Sequence, residues 1–133
     1  MTTELYWLTI TTLMTGLFWL PYILDRIAVR GLWPAISDTG PETGEEHSLW
    51  AKRALKAHQN AVENLAVFAA LVLIAHQLGV SNAATQGAAI VYFFARLAHF
   101  LVYSFGVPVA RTLLFAVGWG AQMVLAAAIL GWV

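Results

Sequence analysis

Two long runs of apolar residues contain no charged side chain, and they constrain the chain more than any other feature. The first extends from Leu5 to Leu24 and the second from Thr112 to Val133. A transmembrane helix needs about 20 mostly apolar residues to cross a hydrocarbon core of about 30 Å. Tyr and Trp residues stand near both ends of the first run, as they do at membrane–water interfaces. Each run therefore predicts a membrane-spanning helix. The first is interpreted as a span that stays in the protein and not as a signal peptide.

The composition of the chain supports a membrane location. Of 133 residues, 60% are hydrophobic and 11% are charged, whereas soluble domains have roughly a quarter charged residues. This hydrophobic content excludes intrinsic disorder. Seven Lys and Arg residues balance seven Asp and Glu residues, so there is no basic excess for nucleic-acid binding. The lack of cysteine excludes disulfides and Cys-ligated metals.

The middle of the chain predicts two further spans. Residues 65–78 are apolar but too short to cross alone, and a helical pattern extends them back to a predicted helix over Trp50–Leu78, about 44 Å long at 1.5 Å per residue. Another apolar stretch covers Ala83–Tyr103. We expect an all-α, four-helix integral membrane bundle that forms a single domain over residues 1–133. Its predicted spans are about 5–24, 58–78, 83–103 and 112–133.

Basic residues are concentrated on one side of the predicted bundle. Segment 25–60 holds five of them, and the loop at 104–111 adds Arg111 on the same side. The other side holds none, so the positive-inside rule predicts a cytoplasmic loop over about 25–57 and both termini outside. Residues 34–48 are rich in Pro, Gly and acidic residues and predict a flexible stretch. The five basic residues are Arg26, Arg30, Lys52, Arg53 and Lys56.

Polar residues inside the two middle spans are the strongest indication of function. In the third span, Tyr92, Arg96, His99 and Tyr103 recur at spacings of 4, 3 and 4 and share one helix face. On the predicted helix over Trp50–Leu78, Arg53, Lys56, Asn60 and Glu63 also share one face. A charge inside the bilayer costs about 2.5–3.5 kcal/mol on insertion scales. Since Glu63 and Arg96 lie at nearly the same predicted depth, we expect them to form an ion pair.

Two interpretations of this polar set remain open. An ion pair between Glu63 and Arg96 could simply hold two helices in register. Alternatively, the surrounding donors could form a pocket for a polar, anionic ligand that also meets lipid, because one salt bridge does not require so many of them. Only His58 and His99 could approach each other, which is too few histidines to predict a metal site.

Two longer motifs resemble a known family. The stretch RALKAHQNAVENLAVFAALVLIA (53–75) resembles the second-helix signature of the membrane-associated proteins in eicosanoid and glutathione metabolism, the MAPEG family. The stretch YFFARLAHFLVYSFGVPVARTLLFAVGW (92–119) is similar to the third helix, turn and fourth helix of that family. The resemblance implies a homotrimer with glutathione bound between subunits near the cytoplasmic face. The short termini favour a bacterial-type member in the inner membrane.

The resemblance also implies roles for individual residues. Arg111 is the expected catalytic residue, because an arginine at this place is thought to stabilise the glutathione thiolate. Three positions depart from the family pattern: Lys56 stands where many members have arginine, Gln59 where some have arginine, and Phe115 where several enzymes have tyrosine. The glutathione-binding residues implied by the motifs are Arg26, Lys56, His58, Asn60, Glu63, His99, Tyr103 and Thr112.

The function implied by the resemblance is that of a glutathione S-transferase or peroxidase in the membrane. Glutathione would be the co-substrate, and the second substrate would be a hydrophobic electrophile or a lipid peroxide. One alternative is a non-catalytic membrane protein of the same family that binds lipid or a protein partner. A transporter subunit or a purely structural protein is a further alternative.

Overall fold

The computed structural model describes residues 1–37 and 48–133, which form six helices and no strand. Four helical segments are long and apolar enough to cross a membrane, the first of them formed by α1 and α2 together. The predicted all-α membrane bundle is thus confirmed. The helices are α1 (Thr3–Leu17), α2 (Trp19–Arg30), α3 (Leu32–Ser37), α4 (Leu49–Gln77), α5 (Ala83–Ser104) and α6 (Pro108–Ile129).

The segment predicted to be flexible, 34–48, is described only in part. Residues 34–37 belong to the short helix α3, and Ser48 precedes α4. The remaining positions of that prediction, including His47, lie outside the described residues.

The first span is broken at Phe18, between α1 and α2. Pro21 causes this break, since it has no N–H to donate to the carbonyl of Leu17 and its ring crowds that carbonyl. The N–H of Phe18 turns back to the oxygen of Thr15 at 3.2 Å. Helical structure then resumes and continues to Arg30.

Small residues and stacked rings hold the four spans together. The buried stripe of α4 at the basic end contains alanines at positions 51, 54, 57 and 61, and small side chains let membrane helices approach closely. Phe18 stacks on Phe100 with ring centroids 3.9 Å apart. Towards the other end, Phe68 stacks on Tyr92, also at 3.9 Å. The first stacked pair fixes the end of α1 against α5, and the second fixes α4 against α5.

The turn between α5 and α6 requires glycine at position 106. Gly106 has a φ of +76°, a backbone conformation that other residues rarely adopt. A Cβ there would also lie 2.7 Å from the guanidinium carbon of Arg53, which packs against the turn. Pro108 then begins α6 with the φ that a first helical residue needs. This turn determines where Arg111 emerges.

Replacing Gly106 with alanine is expected to lower the free energy of unfolding by about 1–2 kcal/mol, the cost of a left-handed residue that carries a Cβ. Displacement of Arg53 adds to this cost. The matched control is Gly87→Ala, because a Cβ at Gly87 meets no atom within 4 Å. Thermal unfolding in detergent checks the prediction, and equal midpoints for the two variants would contradict it.

Candidate functional site

A cavity of about 190 Å³ lies at the end of the bundle where α5 ends and α6 begins. We call this end the basic end, because it holds Arg30, Lys52, Arg53, Lys56 and Arg111, and the cavity the Arg111 cavity. Five of its six lining residues are among the site residues predicted from the sequence. The lining residues are Asn60, His99, Tyr103, Arg111, Thr112 and Phe115.

Helix spacing and the glycine turn bring the aromatic and cationic groups of this cavity together. His99 and Tyr103 are four residues apart on α5, and their ring centroids lie 5.6 Å apart. The guanidinium carbon of Arg111 lies 4.7 Å from the centroid of the Tyr103 ring. That distance is within the range of a cation–π contact. Tyr103 therefore holds the guanidinium of Arg111 at the cavity.

Asn60 is fixed by two neighbours. A terminal nitrogen of Arg96 donates to its side-chain oxygen at 2.5 Å, and the side-chain amide of Asn64 donates to its backbone oxygen at 2.9 Å. Arg96 is only 2% exposed. A charge-assisted hydrogen bond of this kind is stronger than a neutral one. Arg96 thus acts on the cavity indirectly, by holding Asn60 in place.

Within the described part of the chain, the structure shows no contact between Glu63 and Arg96, the two residues predicted to form an ion pair. The guanidinium of Arg96 contacts Asn60 instead, and Glu63 is exposed. Glu63 follows Asn60 by three residues, so the two side chains point about 60° apart around the axis of α4. Helix α5 packs on the Asn60 side. The two charges therefore do not meet, although their predicted depths are similar.

A second cavity, of about 330 Å³, contains His58 and Glu63. We call it the His58 cavity. The hydroxyl of Tyr22 lies 3.4 Å from Nδ1 of His58, which ties α2 to α4. His58 and His99 consequently line different cavities. The lining residues are Tyr22, Leu55, His58, Gln59, Val62 and Glu63.

The two remaining predicted binding residues line neither cavity. Arg26 is half-buried on α2, and Lys56 is exposed on α4. The structure thus gathers five predicted residues in the Arg111 cavity and two in the His58 cavity, and it leaves two apart.

The electrostatics of the Arg111 cavity favour an anion. Among the described residues, Arg111 is the only charged one in its lining, and the buried guanidinium of Arg96 lies behind Asn60. Nδ1 of His99 is buried and has no hydrogen-bond partner within the described chain, so it can bond to a ligand or to water. No group of three His, Cys, Asp or Glu residues in the described ranges could hold a metal ion.

Three polar residues that support these cavities are not among the site residues predicted from the sequence. Tyr22 was assigned to the membrane interface, yet it contacts His58. Arg53 packs on the Gly106 turn. Gln122 is 3% exposed and donates to the backbone oxygen of Asn64 at 3.1 Å. A signal existed for Gln122, since it is the one side-chain amide in the apolar run over 112–133.

A comparison with models of known protein families gives a match. The model of the MAPEG family matches residues 5–131, which is nearly the whole chain. Searches of the curated proteins and of the solved structures find no match.

Proposed function

The chain belongs to the MAPEG family of membrane proteins, and we propose that it is a membrane-bound glutathione S-transferase or peroxidase that acts on hydrophobic electrophiles or lipid peroxides. The observation that carries this proposal is the position of Arg111, which lies over the Tyr103 ring in a cavity that no acidic residue of the described ranges lines. Arg111 is the proposed catalytic residue.

The chemistry requires an ionised thiol. The thiolate of glutathione, not the thiol, attacks an electrophile, and a neighbouring cation favours the thiolate form. Arg111 supplies that cation, and its place in the first turn of α6 adds the positive end of the helix dipole. In conjugation, sulfur forms a bond to the electrophilic carbon as the leaving group departs. Asn60, His99, Tyr103 and Thr112 surround the same space and orient the peptide.

The proposed site residues are divided between two cavities of the chain, and a homotrimer would let cavities of neighbouring subunits form one site. Glutathione carries two carboxylates and an ammonium, and the Arg111 cavity alone offers no carboxylate for that ammonium. We propose that residues of a neighbouring subunit complete the site. Glu63 binds the ammonium, Arg26 and Lys56 bind carboxylates, and His58 contributes a hydrogen bond. The long loop over 25–57 and this site then face the cytoplasm, with both termini on the outer side of a bacterial inner membrane.

An apolar cavity supports a lipophilic second substrate. It measures about 280 Å³ and lies between α1 and α5 near the break at Phe18. Its chemistry suits a hydrocarbon chain, and the same observation favours the second candidate function, non-catalytic lipid binding. The lining residues are Ile10, Leu13, Met14, Leu17, Phe18 and Phe93.

Glutathione binding to the detergent-purified protein tests the proposal. Calorimetry is expected to show saturable binding that Arg111→Ala weakens about tenfold, which is the loss of roughly one charge-assisted hydrogen bond of about 1.4 kcal/mol. Lys52→Ala is the matched control, since it removes a cation from the same end but from outside both cavity linings. Absence of binding at millimolar glutathione would favour the lipid-binding function.

A further inference from the structure

A third cavity lies at the end of the bundle opposite to the basic end. It measures about 210 Å³ and is lined by the start of α1, the end of α4 and the turn that follows α4. We call it the Glu4 cavity, because Glu4 is the one acidic residue among the described residues that line it. The lining residues are Thr2, Glu4, Val72, Ala75, His76, Gly79, Val80 and Ser81.

The carboxylate of Glu4 is buried among neutral donors. Glu4 is 3% exposed, and its oxygens accept hydrogen bonds from the hydroxyls of Thr85 at 2.6 Å and Ser81 at 2.9 Å. No Lys or Arg of the described residues belongs to the cavity lining, and Met1 is 90% exposed and outside it. His76 also lines the cavity, but the hydrogen bonds to Glu4 come from the hydroxyls of Thr85 and Ser81 and not from this ring. A carboxylate buried without a cation is costly in a membrane protein.

The position of this carboxylate is fixed by the fold. Thr85 also forms the capping box of α5, in which its N–H donates to the side chain of Asn82 at 3.0 Å and the N–H of Asn82 donates back at 2.9 Å. Glu4 is therefore anchored to the first turn of α5. Because the carboxylate is held by groups that do not neutralise it, a cation in the cavity would find a preorganised partner.

We propose that the Glu4 cavity binds a primary ammonium group, and specifically the ammonium of a phospholipid headgroup. Glu4 stands at the beginning of the first span and Ser81 in the turn between two spans, so the cavity lies at the level of the headgroups. A primary ammonium has three N–H donors for the carboxylate, whereas a quaternary ammonium has none. The apolar walls formed by Val72, Ala75 and Val80 suit the methylene groups that follow the ammonium.

This site is separate from the proposed glutathione site. Thr85 and Tyr103 are 18 residues apart on α5, which corresponds to about 27 Å of helix. Its occupancy can therefore be measured without reference to activity or to glutathione.

Lipid retention by the full-length protein tests the proposal. The protein is placed in nanodiscs that contain equal amounts of phosphatidylethanolamine and phosphatidylcholine, and native mass spectrometry identifies the lipids that stay bound on release. We expect phosphatidylethanolamine to be retained at least tenfold over phosphatidylcholine. Glu4→Gln is expected to abolish this preference, and Glu45→Gln, which removes the same charge at a position outside the described residues, is expected to keep it.

Further variants and conditions make the test decisive. If Glu4→Gln does not fold, Val80→Phe takes its place, since it fills the cavity without altering the carboxylate, and it too is expected to remove the preference. Equal retention of the two lipids in the wild-type protein would overturn the proposal. So would a Glu4→Gln variant that is only less stable but keeps the preference. A wild-type protein that binds millimolar ethanolamine but does not retain phosphatidylethanolamine would identify a free amine, not a lipid, as the ligand.

Discussion

Replacement of Arg111 with alanine is expected to lower kcat for glutathione conjugation by about 10²–10³-fold at saturating glutathione. The guanidinium stabilises charge on sulfur as the thiolate forms and reacts, and removal of one preorganised donor at such a position costs about this much in rate. Binding is expected to weaken only about tenfold, since Asn60, His99, Tyr103 and Thr112 still line the cavity. The measurement is the steady-state rate with a chromogenic electrophile.

Two companion variants separate catalysis from structure. Arg111→Lys retains a cation but lacks the planar group that lies over Tyr103, so we expect an intermediate rate. Lys52→Ala removes a cation of the basic end outside the cavity lining and is expected to keep the wild-type rate. Size-exclusion chromatography shows whether each variant retains its assembly. An Arg111→Ala variant with undiminished kcat would remove this residue from the mechanism.

The four-span architecture could be predicted from the sequence because it depends on hydrophobicity averaged over stretches of about 20 residues. Apolar stretches of about 20 residues predict membrane spans whatever their neighbours are, and four helical segments of the described chain are long and apolar enough to cross a membrane. The break at Phe18 was missed, because the run over 5–24 was considered as a whole. Pro21 was the available signal, since it removes one helical hydrogen bond.

For the candidate site, the sequence predicts the position of each residue along its helix, but it does not predict which side of the helix faces a neighbouring helix. The motif spacing brought Asn60, His99, Tyr103, Arg111 and Thr112 to one cavity. Depth along a helix follows from counting residues at 1.5 Å each, whereas the side that faces a neighbour depends on packing. For this reason the similar predicted depths of Glu63 and Arg96 did not determine whether their side chains face each other, and the structure places Asn60 against Arg96.

Disruption of the Asn60–Arg96 contact is expected to produce the largest loss of stability. Asn60→Leu leaves the buried guanidinium of Arg96, which is 2% exposed, without the oxygen that accepts its hydrogen bond. An unsatisfied buried charge of this kind costs about 3 kcal/mol. Glu63→Gln is the comparison, since Glu63 is exposed, and its effect is expected to stay within about 0.5 kcal/mol. Unfolding by increasing fractions of SDS measures both variants.

A double-mutant cycle identifies the true partner of Arg96. Arg96→Met removes the charge and keeps a flexible apolar side chain, so the double variant with Asn60→Leu is expected to be more stable than Asn60→Leu alone. The coupling energy is expected to be about 1 kcal/mol or more, as for contacting residues. The cycle with Glu63→Gln is expected to give zero within about 0.5 kcal/mol. The opposite result would restore the Glu63–Arg96 pair, and Glu63 would then be a structural residue and not a ligand for the ammonium of glutathione.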